Sequence, residues 1–139
     1  MASNKVEVNW QDKMAFDVEV NGHHFMIDAE ESVGGEDRGP RPKPLMLAAL
    51  GGCTGMDVVS ILTKMHVDYE SVKITVEGEL TEEHPKYYHI ITVVYTFKGK
   101  DLPMDKLEKA VNLSQERYCG VSALLQKGAK VDYKIIIVE

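Results

Sequence analysis

The sequence contains no phosphate-binding glycine loop, no dinucleotide fingerprint and no Ser/His/Asp constellation, which removes nucleotide-dependent and serine-hydrolase chemistry from consideration. Positive charge is scarce. Sixteen Lys and Arg stand against 22 Asp and Glu, a net charge of -6, and the only local cluster of cations is Arg38, Arg41 and Lys43, so no nucleic acid partner is expected. The longest apolar run, residues 44 to 56, stops at Asp57, short of the roughly 20 residues that span a bilayer. No membrane partner is expected either. The N-terminus, MASNKVEVNW, lacks an apolar stretch behind a basic start, which predicts no secretory signal and a cytoplasmic protein. Neither CxxC nor HxxxH occurs and the five histidines are scattered, a poor zinc set, so neither a metal nor a cofactor is expected.

What is present fits one domain. A chain of 139 residues that is 44% hydrophobic and 27% charged has the profile of a soluble globular protein. VEVNW (6 to 10), AFDVEV (15 to 20) and HHFMID (23 to 28) alternate apolar and polar residues as half-buried strands do, and Asn21-Gly22 suits a two-residue hairpin turn. Residues 29 to 43 form a loop rich in acid, Gly, Pro and Arg. A helix is predicted from Pro44 to about His66; its first half has no polar face and should be surrounded by protein. Alternating strands are predicted over 71 to 80 and 87 to 99, then a surface-packed helix over 103 to 118 that buries Leu107, Ala110, Val111 and Ser114. A shorter helix ending at Gly128 and a last strand over 131 to 139 complete the chain. The expectation is a single α+β domain, residues 1 to 139, of about six antiparallel strands and two long helices.

Two cysteines remain to be explained. In a reducing compartment a pair of thiols points to catalysis, redox chemistry or metal binding more than to a permanent staple; the bland alternative is a pair of buried core residues. Cys53 lies about 13 Å along its predicted helix, at 1.5 Å per residue, beyond reach of the N-terminal dipole. Activation from its own helix is thereby excluded, leaving the loop cations Arg38, Arg41 and Lys43 or another subunit. Cys53, Asp57, Ser60 and Lys64 form a polar stripe at spacings of four, three and four. Gly51 and Gly52 weaken the helix and suggest close approach of another element or a ligand. Cys119 sits at the predicted start of the short helix, where free N–H groups favour a thiolate. On the residues alone it should be the more acidic thiol.

GPRPKPLMLAALGGCTGMDVVSIL (39 to 62) followed by RYCGVSALL (117 to 125) resembles the OsmC/Ohr family of thiol-dependent hydroperoxide reductases, in a branch carrying the GGCTGMD form of the motif. The resemblance extends over the order of elements along nearly the whole chain. It implies an α+β fold in which two chains intertwine into a homodimer whose central helices are covered by the partner. It also implies a chemistry: Cys53 attacks an organic hydroperoxide and becomes a sulfenic acid, Cys119 resolves it as a disulfide, and an external dithiol reduces the pair. The hydrocarbon tail of the substrate would lie against Leu47, Leu50, Met56 and Tyr118. The sequence departs from the family in two respects. Characterised members pair a glutamate about ten residues before the first cysteine with an arginine from the N-terminal strands, whereas Lys43 stands at that spacing here and residues 1 to 37 contain no arginine. The alternative reading is a non-peroxidase redox or binding protein that uses the pocket at the dimer interface.

Overall fold

The computed structural model describes residues 2 to 139, which divide into two compact units, one ending at Met46 and the other running over Leu47–Glu139. In the first, strands β1 (Glu7–Asp12), β2 (Ala15–Val20) and β3 (His23–Ile27) form an antiparallel sheet in that order. Asn21 and Gly22 turn the second hairpin with φ of 50° and 79°, the doubly left-handed geometry that Asn-Gly adopts with least strain. The loop that follows, with one 3₁₀ turn at Glu31–Val33, returns tightly against β3 and its exit. A Cβ on Gly35 would lie 1.9 Å from the Ala29 carbonyl oxygen, and one on Gly39 would lie 2.1 Å from that of Met26. Only glycine permits that approach.

The buried end of the loop is Asp28, 3% exposed. Its carboxylate accepts the backbone N–H groups of Ala29, Glu36 and Arg38 and the Arg38 Nε, at 2.7 to 3.3 Å. Burial by itself would raise the Asp28 carboxyl, but the three N–H groups and the guanidinium outweigh it and hold the group down to about 2. Arg38 also pairs with Asp12 at 2.6 Å and Glu36 at 3.3 Å, and Arg41 pairs with Asp37 at 2.7 Å.

In the second unit, β4 (Ser71–Leu80), β5 (Tyr88–Lys98) and β6 (Lys130–Val138) form a sheet with β5 central. Ile91, Val93, Tyr95 and Phe97 alternate along β5 into the core. The helices are α1 (Leu45–Lys64), whose first two residues belong to the first unit, α2 (Met104–Leu113) and α3 (Gly120–Leu125). Leu50, Thr54, Val58 and Leu62, four residues apart, are the buried line of α1. Leu107, Ala110 and Val111 supply that of α2. Gly51 and Gly55 let α1 approach β4 closely: a Cβ on Gly51 would stand 3.2 Å from Val76 and one on Gly55 3.4 Å from Ile74. Gly52 faces open space, so close approach accounts for one of the two adjacent glycines and not for the other.

Two elements differ from expectation. β6 runs parallel to β5, Ile90 opposite Lys130 through Lys98 opposite Val138, so five strands and not six obey the antiparallel pattern. The reason is the connection: α2 and α3 lie between these strands, and a crossover of that length returns the chain in the same direction. The helix expected over 103 to 118 ends at Leu113, and Ser114–Tyr118 form a π-helical turn, in which the Cys119 N–H donates to the Ser114 carbonyl five residues back. The α1 helix also shows more surface than predicted. It is 20 residues long with a mean hydropathy of 1.8, sufficient by length and composition to cross a membrane, yet only 22% of that window is buried. Met46, Met56 and Val59 are exposed.

Candidate functional site

The site lies in the second unit. Cys53 is half-buried on α1, Cys119 is 2% exposed at the start of α3, and both are free thiols. Their sulfurs and a carboxylate oxygen of Asp57 all lie within 4.8 Å of one another. Cys53 and Asp57 meet because they are four apart on one helix face. Cys119 joins them because the π-helical turn and the N-cap of α3 carry it into the core. Spacing could place Cys53 beside Asp57 but could not bring Cys119 to them, since that approach is made by the fold and has no linear motif.

Behind the thiols runs a file of buried hydrogen bonds whose directions are fixed from one end. The Asp57 carboxylate can only accept, so the Ser114 hydroxyl donates to its Oδ2 at 2.9 Å. That spends the single Ser114 proton. Thr54 therefore donates to Ser114 at 2.7 Å, Tyr95 donates to Thr54 at 2.6 Å, and the Gln115 amide nitrogen donates to the Tyr95 hydroxyl at 2.6 Å. The Gln115 carbonyl accepts from Ser122 at 2.6 Å, and Ser122 accepts from the Gln126 amide at 2.9 Å. Reversing the Gln115 amide would force Tyr95 to donate to it and leave Thr54 and Ser114 facing each other without a proton. Thr54, Tyr95, Ser114 and Ser122 are fully buried, and among the described residues no buried side-chain polar atom is without a partner. The file thus aims its donors at Asp57, and burial, which pushes the Tyr95 phenol up, keeps the middle donor protonated.

Cys119 reverses the expectation drawn from its position. Burial, and then the neighbouring Cys53 sulfur, push its thiol up to about 11, against the opposing pull of the Ser122 and Val121 backbone N–H groups. The Ser122 N–H does reach the sulfur, at 3.4 Å. Desolvation outweighs it because α3 has only six residues and Cys119 is packed with Leu50, Val58 and Tyr95 in the core cluster.

The remaining predicted residues separate. Leu50 is fully buried in the core and Leu47 packs against it, whereas Met56, 77% exposed, and Tyr118, 55% exposed, stand at the surface. Of the stripe on α1, Cys53 and Asp57 enter the cluster while Ser60 and Lys64 are exposed. Arg38, Arg41 and exposed Lys43 belong to the first unit, where both guanidiniums are already bound to carboxylates. Gln115, Ser122 and Tyr95 escaped the sequence reading. Only the polar positions inside predicted apolar faces, Thr54 and Ser114 above all, could have signalled a buried polar file.

The α+β chain that carries this site has known counterparts. The chain belongs to the OsmC-like protein family, whose pattern it matches over residues 34–134. It is 31% identical over 135 residues to protein YhfA of Escherichia coli K12, covering 96% of this chain and 98% of the other. Among solved structures it superposes on a hypothetical protein from Aquifex aeolicus VF5 with a TM-score of 0.84 at 30% identity, each chain covered in full. An organic hydroperoxide resistance protein, OsmC, from Legionella pneumophila shares the fold, with a TM-score of 0.70 at 17% identity and 98% of each chain covered.

Proposed function

We propose that the protein is a thiol-dependent peroxidase that reduces organic hydroperoxides, and hydrogen peroxide more weakly, with Cys53 as attacking thiol and Cys119 as resolving thiol. The observation that carries the reading is the approach of both sulfurs and the Asp57 carboxylate to within 4.8 Å. Family membership and the name of the Legionella neighbour, an organic hydroperoxide resistance protein, support it. Cys53, the more accessible sulfur, attacks the terminal peroxide oxygen; the O–O bond breaks, alcohol leaves with the thiol proton, and Cys53 becomes a sulfenic acid. Cys119 then attacks that sulfur. Its proton passes to Asp57 and on to the departing hydroxide, which leaves as water, and the sulfurs join as a disulfide. An external dithiol is oxidised in restoring the two thiols. Hydroperoxide and dithiol therefore become alcohol, water and disulfide.

In this reading Asp57 handles protons in place of the family's Arg/Glu pair. Arg38 and Arg41 are engaged with carboxylates, so no step is routed through them, and Lys43 is assigned none. The apolar tail of the substrate would lie over Leu47 and Met56, with Leu50 beneath and Tyr118 at the rim. The functional form is a cytoplasmic homodimer in which the exposed apolar side of α1 is covered by a second copy, and residues 1 to 139 act as one OsmC-like domain within it. Sedimentation equilibrium should return twice the chain mass of 15.6 kDa, and Met56→Lys should shift it to monomer. Turnover of cumene hydroperoxide with a dithiol tests the chemistry; a rate equal to that of Cys53→Ser would sink it.

The absence of any Lys or Arg among the hydrogen-bonded partners of the cluster, in the described residues, favours a second reading: a binding protein that uses the same apolar surface without turnover. That reading requires ligand binding to survive in a Cys53→Ser/Cys119→Ser double variant. Loss of binding in that variant would rule it out.

A further inference from the structure

We infer that Cys53, Cys119 and Asp57 form a site for a thiophilic divalent cation of the zinc type, occupied when the thiols are reduced. The inference rests on the same cluster as the peroxidase reading but not on its chemistry. Two sulfurs and one carboxylate oxygen within 4.8 Å are three of the four ligands that zinc takes. A tetrahedral ion with Zn–S near 2.3 Å places its sulfurs about 3.8 Å apart, so the sulfurs must close by roughly 1 Å or less and the carboxylate oxygen by slightly more. Rotation about the Cα–Cβ bonds of the two cysteines, which moves the sulfurs, and about the Cβ–Cγ bond of Asp57 would supply that. The fourth position would stay open on the side where Cys53 is half-exposed.

What separates the cluster from a chance meeting of side chains is that two of its ligands are already held from behind. Asp57 Oδ2 receives the Ser114 hydroxyl at 2.9 Å, leaving Oδ1 for an ion, and Ser114 is itself oriented by the file from Thr54 through Tyr95 to Gln115. The Cys119 sulfur receives the Ser122 backbone N–H at 3.4 Å, the kind of donor that stabilises a metal-bound thiolate, and the Ser122 hydroxyl is fixed by Gln115 and Gln126. Outer partners of this sort set ligand orientation and contribute tenfold to a hundredfold in affinity, by order of magnitude. Softness selects the ion. Two thiolates with one carboxylate suit zinc and disfavour magnesium or calcium, which require oxygen donors. Binding releases the thiol protons to solvent, and oxidation of the pair to a disulfide removes two of the three ligands. The site therefore holds its ion only in the reduced protein.

Titration of the reduced full-length protein with Co²⁺, and displacement of Co²⁺ by Zn²⁺, provides the test. The expected result is one equivalent per chain with a sulfur-to-cobalt charge-transfer band, loss of that band in Cys53→Ser and in Cys119→Ser, and no binding after peroxide oxidation. Asp57→Asn, isosteric and still able to accept from Ser114, should weaken binding at least about tenfold. An unchanged affinity in Asp57→Asn, a spectrum without the charge-transfer band, or binding that survives loss of both thiols would overturn the site. X-ray absorption of the zinc-loaded wild-type protein gives a readout independent of any variant, with two sulfur neighbours expected and one or none contradicting the proposal. Peroxide turnover measured in metal-free buffer keeps the two readings apart. Turnover without metal binding refutes this site alone; metal binding without turnover refutes the peroxidase alone.

Discussion

Asp28 is a buried carboxylate in one unit of the chain and Asp57 a half-buried one in the other, and they are held in opposite ways. Around Asp28 every donor is a fixed backbone N–H or a guanidinium, three from the turn and one, Arg38 Nε, from a guanidinium that it shares with Asp12 and Glu36. Around Asp57 the hydrogen-bonding donor is one neutral hydroxyl, backed by a file of other neutral groups. The first arrangement leaves the carboxylate nothing further to do. The second leaves one oxygen of a carboxylate that lies beside two sulfurs without a hydrogen-bond donor. A buried charge that is saturated holds a loop in place, and one that is polarised but unsaturated retains capacity for chemistry.

The contrast can be broken from either side, and the largest effect should come from the thiol end. Cys53→Ser should lower dithiol-dependent hydroperoxide turnover by about 10³-fold or more, as loss of an attacking nucleophile does, with little change in thermal stability. Tyr95→Phe should cost about 1–3 kcal/mol of unfolding free energy, because Thr54 loses a donor and the Gln115 amide loses its acceptor in a buried setting; urea unfolding would show it, and a smaller loss would mean that the file is not continuous.

Acid should act mainly on the other unit. Since folding lowers the Asp28 carboxyl from 3.8 to about 2, its contribution to stability is complete above about pH 4 and is lost as pH falls towards 2. Melting temperatures of wild type and Asp28→Asn should converge over that window, and a constant difference would refute the saturated clamp. His24 should give the smallest effect. Its hydrogen bond to Asp17 at 2.8 Å raises it from 6.5, so its contribution is present below that value and disappears as pH rises through the raised one. The pair is exposed, and His24→Gln should flatten a shallow slope near neutrality.

Most of the fold was legible because its signals are local. Alternation in AFDVEV, the Asn21-Gly22 turn and the apolar density of α1 each determine structure within a few residues. The direction of β6 was not, because strand alternation is the same for parallel and antiparallel neighbours and only the intervening helices decide it. Both thiols of the site were legible, through their residue type and through likeness to the family. Their partners were not. Gln115 and Ser122 read as ordinary polar helix residues until the chain is folded, and the acidity expected for Cys119 failed because helix position is visible in sequence while desolvation is a property of neighbours from other elements.

The π-helical turn at Ser114–Tyr118 has a further consequence. The turn begins at Ser114 and Gln115, both buried, one serving Asp57 and the other serving Tyr95 and Ser122, and its extra residue sets the rotation at which Cys119 follows them. The two ends of the polar file thus depend on a single surplus residue in the helical count. Deleting one residue from 116 to 118 would restore an ordinary helix and rotate Cys119 away from Cys53. The change that most regularises the backbone would therefore be among the most damaging to the site, and in this segment stability and chemistry pull against each other over one amino acid.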